Sequence, residues 1–209
     1  MITELKNLFV HAFPALDKTG QQHALQLYQL LVKGEPVTLE SFSEAVKLNK
    51  TEARQLLDNW TGVNFDADQN INAFWGVSTS KTMHSFQLGD QTLYTWCAWD
   101  LLFVPVIYKK TITAETQCPI TQQTIKLTIS EKGIEQLTPS TSMITFIKPG
   151  LQQLKDNVTS SFCQYIFFVE SKETGHKWLQ KNPDGFLLEL NQGFKLGHGI
   201  IQQVFNEIL

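Results

Sequence analysis

The spacing of apolar residues changes near residue 60, and this change limits the folds open to the chain. Before it, leucines and aromatic residues recur every three or four positions, as in Leu5, Leu8 and Phe9, until Pro14 interrupts the series. That spacing is typical of amphipathic helices, which proline ends. From Val63 onward, short apolar runs and alternating residues are typical of strands. The sequence therefore predicts a helical first part and a mixed second part.

The second part shows no regular alternation of strands with long helices. We predict four helices up to about residue 60 and a hairpin over residues 63–75. Further extended segments are predicted at 83–88, 91–95, 111–116, 124–129, 142–147, 163–169 and 186–190, with helices at 97–104, 173–181 and 194–208. This order favours an α+β fold with mainly antiparallel pairing. We expect a winged-helix-like subdomain over residues 1–80 and a catalytic α+β domain over residues 81–209.

The charge of the first subdomain argues against DNA binding, although short helices followed by a hairpin are the layout of a winged helix. A surface that contacts phosphates carries a basic excess. Residues 38–60 instead have a net charge of −1, from four acidic and three basic side chains: Glu40, Glu44, Glu52, Asp58, Lys47, Lys50 and Arg54. The whole chain has a net charge of −3. We expect no nucleic-acid partner.

The sequence predicts a soluble, cytoplasmic protein with free thiols. Residues 1–6 do not resemble a signal peptide. The longest uncharged apolar run, residues 101–108, has eight residues, whereas a membrane helix needs about 20. We expect no membrane partner. Three cysteines, Cys97, Cys118 and Cys163, form a poor disulfide framework for a cytoplasmic chain.

Cys97 and Asp100 are the first candidates for chemistry. If a helix begins near Cys97, its amino terminus favours the thiolate, and Asp100 lies one turn away on the same face. Trp96 and Trp99 make the surroundings apolar, which raises the pKa of a carboxyl group. The pair would then exchange a proton. The alternative is that Cys97 only fills space in the core, as buried cysteines often do.

Cys163 and Cys118 are less informative on their own. Cys163 lies in a run whose alternation predicts a strand, so a core cysteine is the simpler interpretation. Cys118 lies in a predicted turn, and we interpret it as structural. The cysteines stand 21 and 45 residues apart, which does not fit the short spacing of zinc sites. Neither local signature of a cysteine protease is present.

Taken together, these segments resemble the organomercurial lyases (alkylmercury lyases) of bacterial mercury resistance. The resemblance is carried by the blocks Tyr94–Asp100 and Ser161–Cys163, supported by residues 33–37, the turn at 66–70 and the Cys118 turn. Their order and spacing are specific, although no single block is decisive. The similarity extends over most of the chain.

The resemblance implies protonolysis of a carbon–mercury bond. The residues matching Cys97 and Cys163 bind mercury, the one matching Asp100 assists proton transfer, and the one matching Trp96 lies beside the site. Soft thiolates prefer soft metals and make the carbon more basic, and a positioned acid then delivers the proton. The family needs no cofactor. We expect external low-molecular-weight thiols or a mercuric reductase to accept Hg(II).

Two positions depart from the family. Many members have a second cysteine where this chain has Gln164, and a smaller aliphatic residue where it has Trp99. These departures put substrate size and product handling in doubt. Two alternatives remain open: a non-catalytic soft-metal binding protein or metal-responsive regulator that uses the same cysteines, and a structural homologue with inert thiols.

Overall fold

The computed structural model describes residues 2–209, and the predicted helical first part is present in it. Its four helices are α1 (Ile2–Ala12), α2 (Lys18–Leu31), α3 (Leu39–Val46) and α4 (Lys50–Asn59). Their starts follow from capping. The Asn49 side chain accepts from the Glu52 N–H, and the Glu52 carboxylate accepts from the Asn49 N–H. This reciprocal pair satisfies two donors that a helix start leaves open.

Eight strands form one antiparallel sheet within the described residues. They are β1 (Val63–Phe65), β2 (Ile71–Phe74), β3 (Val77–Ser78), β4 (Ser85–Leu88), β5 (Gln91–Thr95), β6 (Ile112–Gln117), β7 (Thr124–Ser130) and β8 (Gly133–Thr138). Their order across the sheet is β1-β2-β3-β5-β4-β6-β7-β8. The predicted hairpin is confirmed, with Val63 opposite Phe74. The α+β class is therefore correct.

This sheet runs across the predicted domain boundary at residue 80. Strands β1 to β3 precede the boundary, β4 to β8 follow it, and β3 pairs directly with β5. Hydrogen bonds therefore join the two predicted subdomains. The division at residue 80 and the winged-helix likeness of the first part remain predictions.

The remaining elements form a second, helical layer with a small sheet. The helices are α5 (Asp100–Tyr108), α6 (Leu151–Ser161), α7 (Lys172–Lys181) and α8 (Leu190–Val204), and a 3₁₀ turn spans Cys163–Tyr165. Strands β9 (Met143–Phe146), β10 (Phe168–Val169) and β11 (Phe186–Glu189) make a three-stranded antiparallel sheet in the order β10-β9-β11.

Helix α6 was not predicted from the sequence. Its buried residues are only Leu154 and Val158, and non-helical backbone at Asn157 interrupts it. Two apolar positions in a polar segment give little periodic signal. The helix is stabilised instead by packing against α1. This matters for the site because α6 leads directly into Cys163.

Helix α5 is buried along its whole length, including Asp100. Helix α8 packs against it closely through Gly193 and Gly197, where an added Cβ would lie 3.1 Å from atoms of Leu102 and Phe103. Among residues 2–209, no helix has both the length and the apolar character that a membrane crossing requires.

Candidate active site

Cys97 lies in the turn that connects β5 to α5. The Thr95 hydroxyl donates to the Cys97 carbonyl over 2.8 Å, which holds the turn. The helix predicted over residues 97–104 is present, but it begins at Asp100, three residues after the predicted start at Cys97. Residues 97–99 form the turn before it. Cys97 therefore precedes the helix, and it is fully buried.

Cys163 lies in the 3₁₀ turn that follows α6. The predicted strand over residues 163–169 is wrong for residues 163–167, and only Phe168 and Val169 are in a strand. The Ile166 N–H donates to the Cys163 carbonyl, closing the turn. Cys163 and Ile166 are both buried, with half-buried Tyr165 between them. That three-residue repeat suits a 3₁₀ turn. The aromatic residues that follow imitate a strand in the sequence.

The fold brings Cys97, Asp100 and Cys163 together. Their two sulfurs and a carboxylate oxygen all lie within 4.8 Å of one another. A thiolate bond to zinc is about 2.3 Å long, so one soft ion can bridge sulfurs at this separation. The Ala98 N–H donates to the Ile166 carbonyl over 3.3 Å and joins the two segments that carry the cysteines. Cys118 is buried in the β6–β7 turn, outside this cluster.

The Asp100 carboxyl group is held against the Cys97 turn. Its Oδ2 accepts from the Cys97 N–H over 2.8 Å. Burial raises its pKa from 3.8 to about 7, although hydrogen bonds from the Cys97 backbone and thiol and the Trp96 backbone act in the opposite direction. The predicted rise of this pKa is confirmed. Both protonation states are therefore accessible near neutral pH.

The thiols are protonated at rest. Burial, the hydrogen bond to Cys163 and the Asp100 charge raise the pKa of Cys97 well above its ordinary value, although the Asp100 N–H favours the thiolate. The same hydrogen bond lowers the pKa of Cys163, but burial and the Asp100 charge together raise it above the ordinary value. The prediction that Cys97 has a favoured thiolate is wrong, because burial outweighs a single N–H.

A narrow apolar cavity leads to the cluster. Asp100 and Cys163 line it, while fully buried Cys97 lies behind them. Trp96, half-buried, forms part of the wall. The other lining residues are apolar or glycine: Phe9, Phe13, Trp75, Gly76, Trp99, Phe103, Val158, Phe162, Gly197, Ile200 and Ile201. Such walls exclude water from the carboxyl group and the thiols, which strengthens the electrostatic interactions between them.

Gly76 is a site residue that the sequence analysis missed. It has φ +94°, and a Cβ at this position would lie 2.8 Å from the Asp100 Cγ. The preceding Trp75 is fixed by stacking on Phe13 and by an indole N–H that donates to the Thr61 carbonyl. Gly76 therefore packs directly against the Asp100 carboxyl group, and a side chain at this position would collide with it. A lone glycine after a tryptophan carries no signal that would reveal this.

Replacing Gly76 by alanine is expected to displace the Asp100 carboxyl group. A misplacement of about 1 Å in an active site costs on the order of 100-fold in rate, so we expect kcat/KM for the catalysed reaction to fall by about 10- to 100-fold. Gly89→Ala is the matched control, because Gly89 also has positive φ (+62°) but nothing lies within 4 Å of its Cβ position. Both variants lose stability from backbone strain, measured by thermal unfolding. Equal activity losses in the two would contradict a positioning role.

Comparisons with known proteins agree on one family. The family model "MerB: Alkylmercury lyase" matches residues 77–202. An alkylmercury lyase of Pseudomonas putida is 28% identical over 87% of this chain and 84% of its own. An alkylmercury lyase of Streptomyces lividans is 26% identical over 84% of this chain and 80% of its own. A crystal structure of the mercury-bound form of MerB2 superposes with a TM-score of 0.80 over 97% of this chain and 99% of that chain. At 21% identity, this similarity shows the fold alone.

Proposed function

Since the chain belongs to the alkylmercury lyase family, whose members cleave carbon–mercury bonds, we propose that Cys97, Cys163 and Asp100 carry out this cleavage by protonolysis. The products are a hydrocarbon and Hg(II). The observation that carries the proposal is the approach of two sulfurs and a carboxylate oxygen to within 4.8 Å beside an apolar cavity. Two soft ligands beside a tunable acid are the groups that protonolysis needs.

The first step is binding of the organomercury cation by Cys163. This thiol lines the cavity, whereas Cys97 is fully buried and does not line it. Its sulfur forms a bond to mercury, and its proton leaves to solvent or to the ligand that mercury gives up. The carbon–mercury bond is still intact at this stage. Cys97 lies behind Asp100 and Cys163 and reaches the metal second.

The second step transfers a proton to carbon. Cys97 gives its proton to the ionised Asp100 carboxylate as its sulfur bonds to mercury. Two thiolates then donate electron density to the metal, and the carbon becomes more basic. Asp100 delivers the proton to that carbon, the carbon–mercury bond breaks and the hydrocarbon leaves. Asp100 is again a carboxylate, and Hg(II) remains bound to both sulfurs. The pKa of about 7 suits both halves of this relay.

Release of Hg(II) then depends on other thiols. Two thiolates hold a soft ion tightly, and a third must exchange with them. We propose low-molecular-weight thiols or a mercuric reductase as the acceptor, and no resident cofactor.

The test is hydrocarbon release by the purified protein. Methylmercury with excess thiol should yield methane in stoichiometric amounts over many turnovers, measured by gas chromatography. Tight Hg(II) binding without methane would contradict the proposal and favour the soft-metal binding protein. Metal-dependent promoter binding would point to a regulator, although residues 38–60 have a net negative charge.

A further inference from the structure

The indole of Trp99 is a wall of the cavity that Asp100 and Cys163 share. Only 3% of the residue is exposed. Aromatic rings surround it with centroids 4.9 to 5.7 Å away, at steep interplanar angles: Phe9, Phe103, Phe146 and Phe162. Edge-to-face contacts of this kind fix ring orientation. The indole is therefore held in place from several sides.

Helix α8 closes the remaining side of the indole. The Trp99 Nε1–H donates to the Gly193 carbonyl over 2.9 Å. A Cβ at Gly197 would lie 3.4 Å from Trp99 Nε1, so the α8 backbone is in contact with the ring. The ring cannot retreat without losing a buried hydrogen bond and its packing, both of which are costly to give up. The wall is rigid.

The position of this wall sets the room beside the reacting groups. Trp99 directly precedes Asp100, and its ring contacts Phe162, which directly precedes Cys163. An organic group on mercury bound to Cys163 therefore shares with the indole the cavity that Asp100 and Cys163 line. The cavity measures about 20 Å³, whereas roughly 10–15 Å³ is needed to hold one water molecule. Once mercury is bound to Cys163 such a space has little room to spare, so each added carbon of the organic group has to displace a wall.

We propose that Trp99 limits the organic group to a small alkyl chain, so that methylmercury and ethylmercury are the preferred substrates. This inference rests on the proposed function and names its substrate class. Trp99 is a specificity-determining residue because it occupies the volume that a longer chain needs. It takes no part in the transfer of the proton.

The experiment compares methylmercury with n-butylmercury, whose reacting carbons are both primary. A hydrophobic pocket discriminates about 10- to 200-fold for one methylene, so we expect kcat/KM to favour methylmercury by at least about tenfold. Trp99→Leu, and the milder Trp99→Phe, should lower that ratio by about tenfold or more. Trp178→Leu is the matched control, because Trp178 is also buried but lies on α7, outside the cavity.

The possible outcomes separate the two proposals. Equal kcat/KM for both substrates in the unmodified protein, or an unchanged ratio in both Trp99 variants, overturns the size limit but leaves the lyase reaction intact. Absence of any hydrocarbon overturns the proposed function instead. In that case the size limit is tested by native mass spectrometry, which compares how much of the protein carries a methylmercury adduct with how much carries a butylmercury adduct. Equal occupancy by the two adducts overturns the size limit. If Trp99→Leu does not fold, Trp99→Phe and the unmodified protein decide the question.

Discussion

Asp100→Asn is expected to lower kcat for organomercurial cleavage by about 10²- to 10⁴-fold, the usual contribution of a positioned general acid or base. Asparagine retains an oxygen that accepts from the Cys97 N–H, so the turn and both thiols keep their places. It cannot accept a proton from Cys97 or deliver one to carbon. Mercury binding should persist in this variant, as measured by native mass spectrometry beside the hydrocarbon assay.

The control for this variant is Asp90→Asn, which alters an exposed carboxylate in the turn between β4 and β5. It should cleave organomercurials at the normal rate. If Asp100→Asn retained more than about a tenth of the normal kcat, the proton would have to come from water or a thiol, and the relay through Asp100 would be wrong.

The same substitution should change how stability depends on pH. The unfolded chain has an Asp100 pKa near 3.8 and the folded chain one near 7, so between these values the folded state holds a proton that the unfolded state has released. Stability therefore falls as pH rises through this window and levels off above about pH 7. At about 1.36 kcal/mol per pH unit, the loss between about pH 5.5 and 7 is about 2 kcal/mol. Asp100→Asn should lack this slope in urea unfolding, and an identical slope in both proteins would contradict the buried proton.

Cys97→Ser and Cys163→Ser are each expected to abolish turnover, because an alcohol is a hard ligand that does not replace a soft thiolate on mercury. Their binding should differ. Cys97→Ser retains the cavity-lining thiol and should hold methylmercury as a one-sulfur adduct without releasing methane. Cys163→Ser should bind methylmercury much more weakly, since Cys97 lies behind Asp100 and Cys163.

Cys118→Ser is the matched control for both variants. Cys118 is also fully buried, but it lies outside the cluster. Its replacement costs stability, as in any core, yet should leave kcat within about threefold of normal once the protein is folded. Turnover in either Cys97→Ser or Cys163→Ser within tenfold of the unmodified protein would exclude the two-sulfur mechanism. Identical adducts in the two variants would exclude the proposed order of binding.

The sequence predicted most reliably those features that a regular spacing of apolar residues or a cluster of apolar neighbours determines. The helical spacing before residue 60 predicted four helices, and the apolar residues around Asp100 predicted the direction of its pKa change. The helices and the pKa change depend on residues close in the chain. The family was recognised instead from the order and spacing of short sequence blocks, such as Tyr94–Asp100.

The features that the sequence did not predict depend on contacts between distant residues. Cys97 and Cys163 stand 66 positions apart, and their joint binding of mercury was expected only from the family resemblance. No local pattern indicated their approach, which depends on α6, a largely polar helix without a clear apolar stripe. The 3₁₀ turn at Cys163 looked like a strand because aromatic residues follow it. Gly76 is essential to the geometry only because β2 and β3 place it beneath Asp100. Such requirements come from tertiary packing, which local spacing does not record.

The burial of the two thiols also bears on oxidative damage. Peroxides react with the thiolate rather than the thiol, and they react faster with cysteines that are exposed to solvent. Both cysteines are buried with raised pKa values, so hydrogen peroxide should consume them much more slowly than free cysteine, as thiol titration over time would show. A pair of sulfurs kept as neutral thiols away from solvent can persist under oxidising conditions and still react with a metal that enters the cavity.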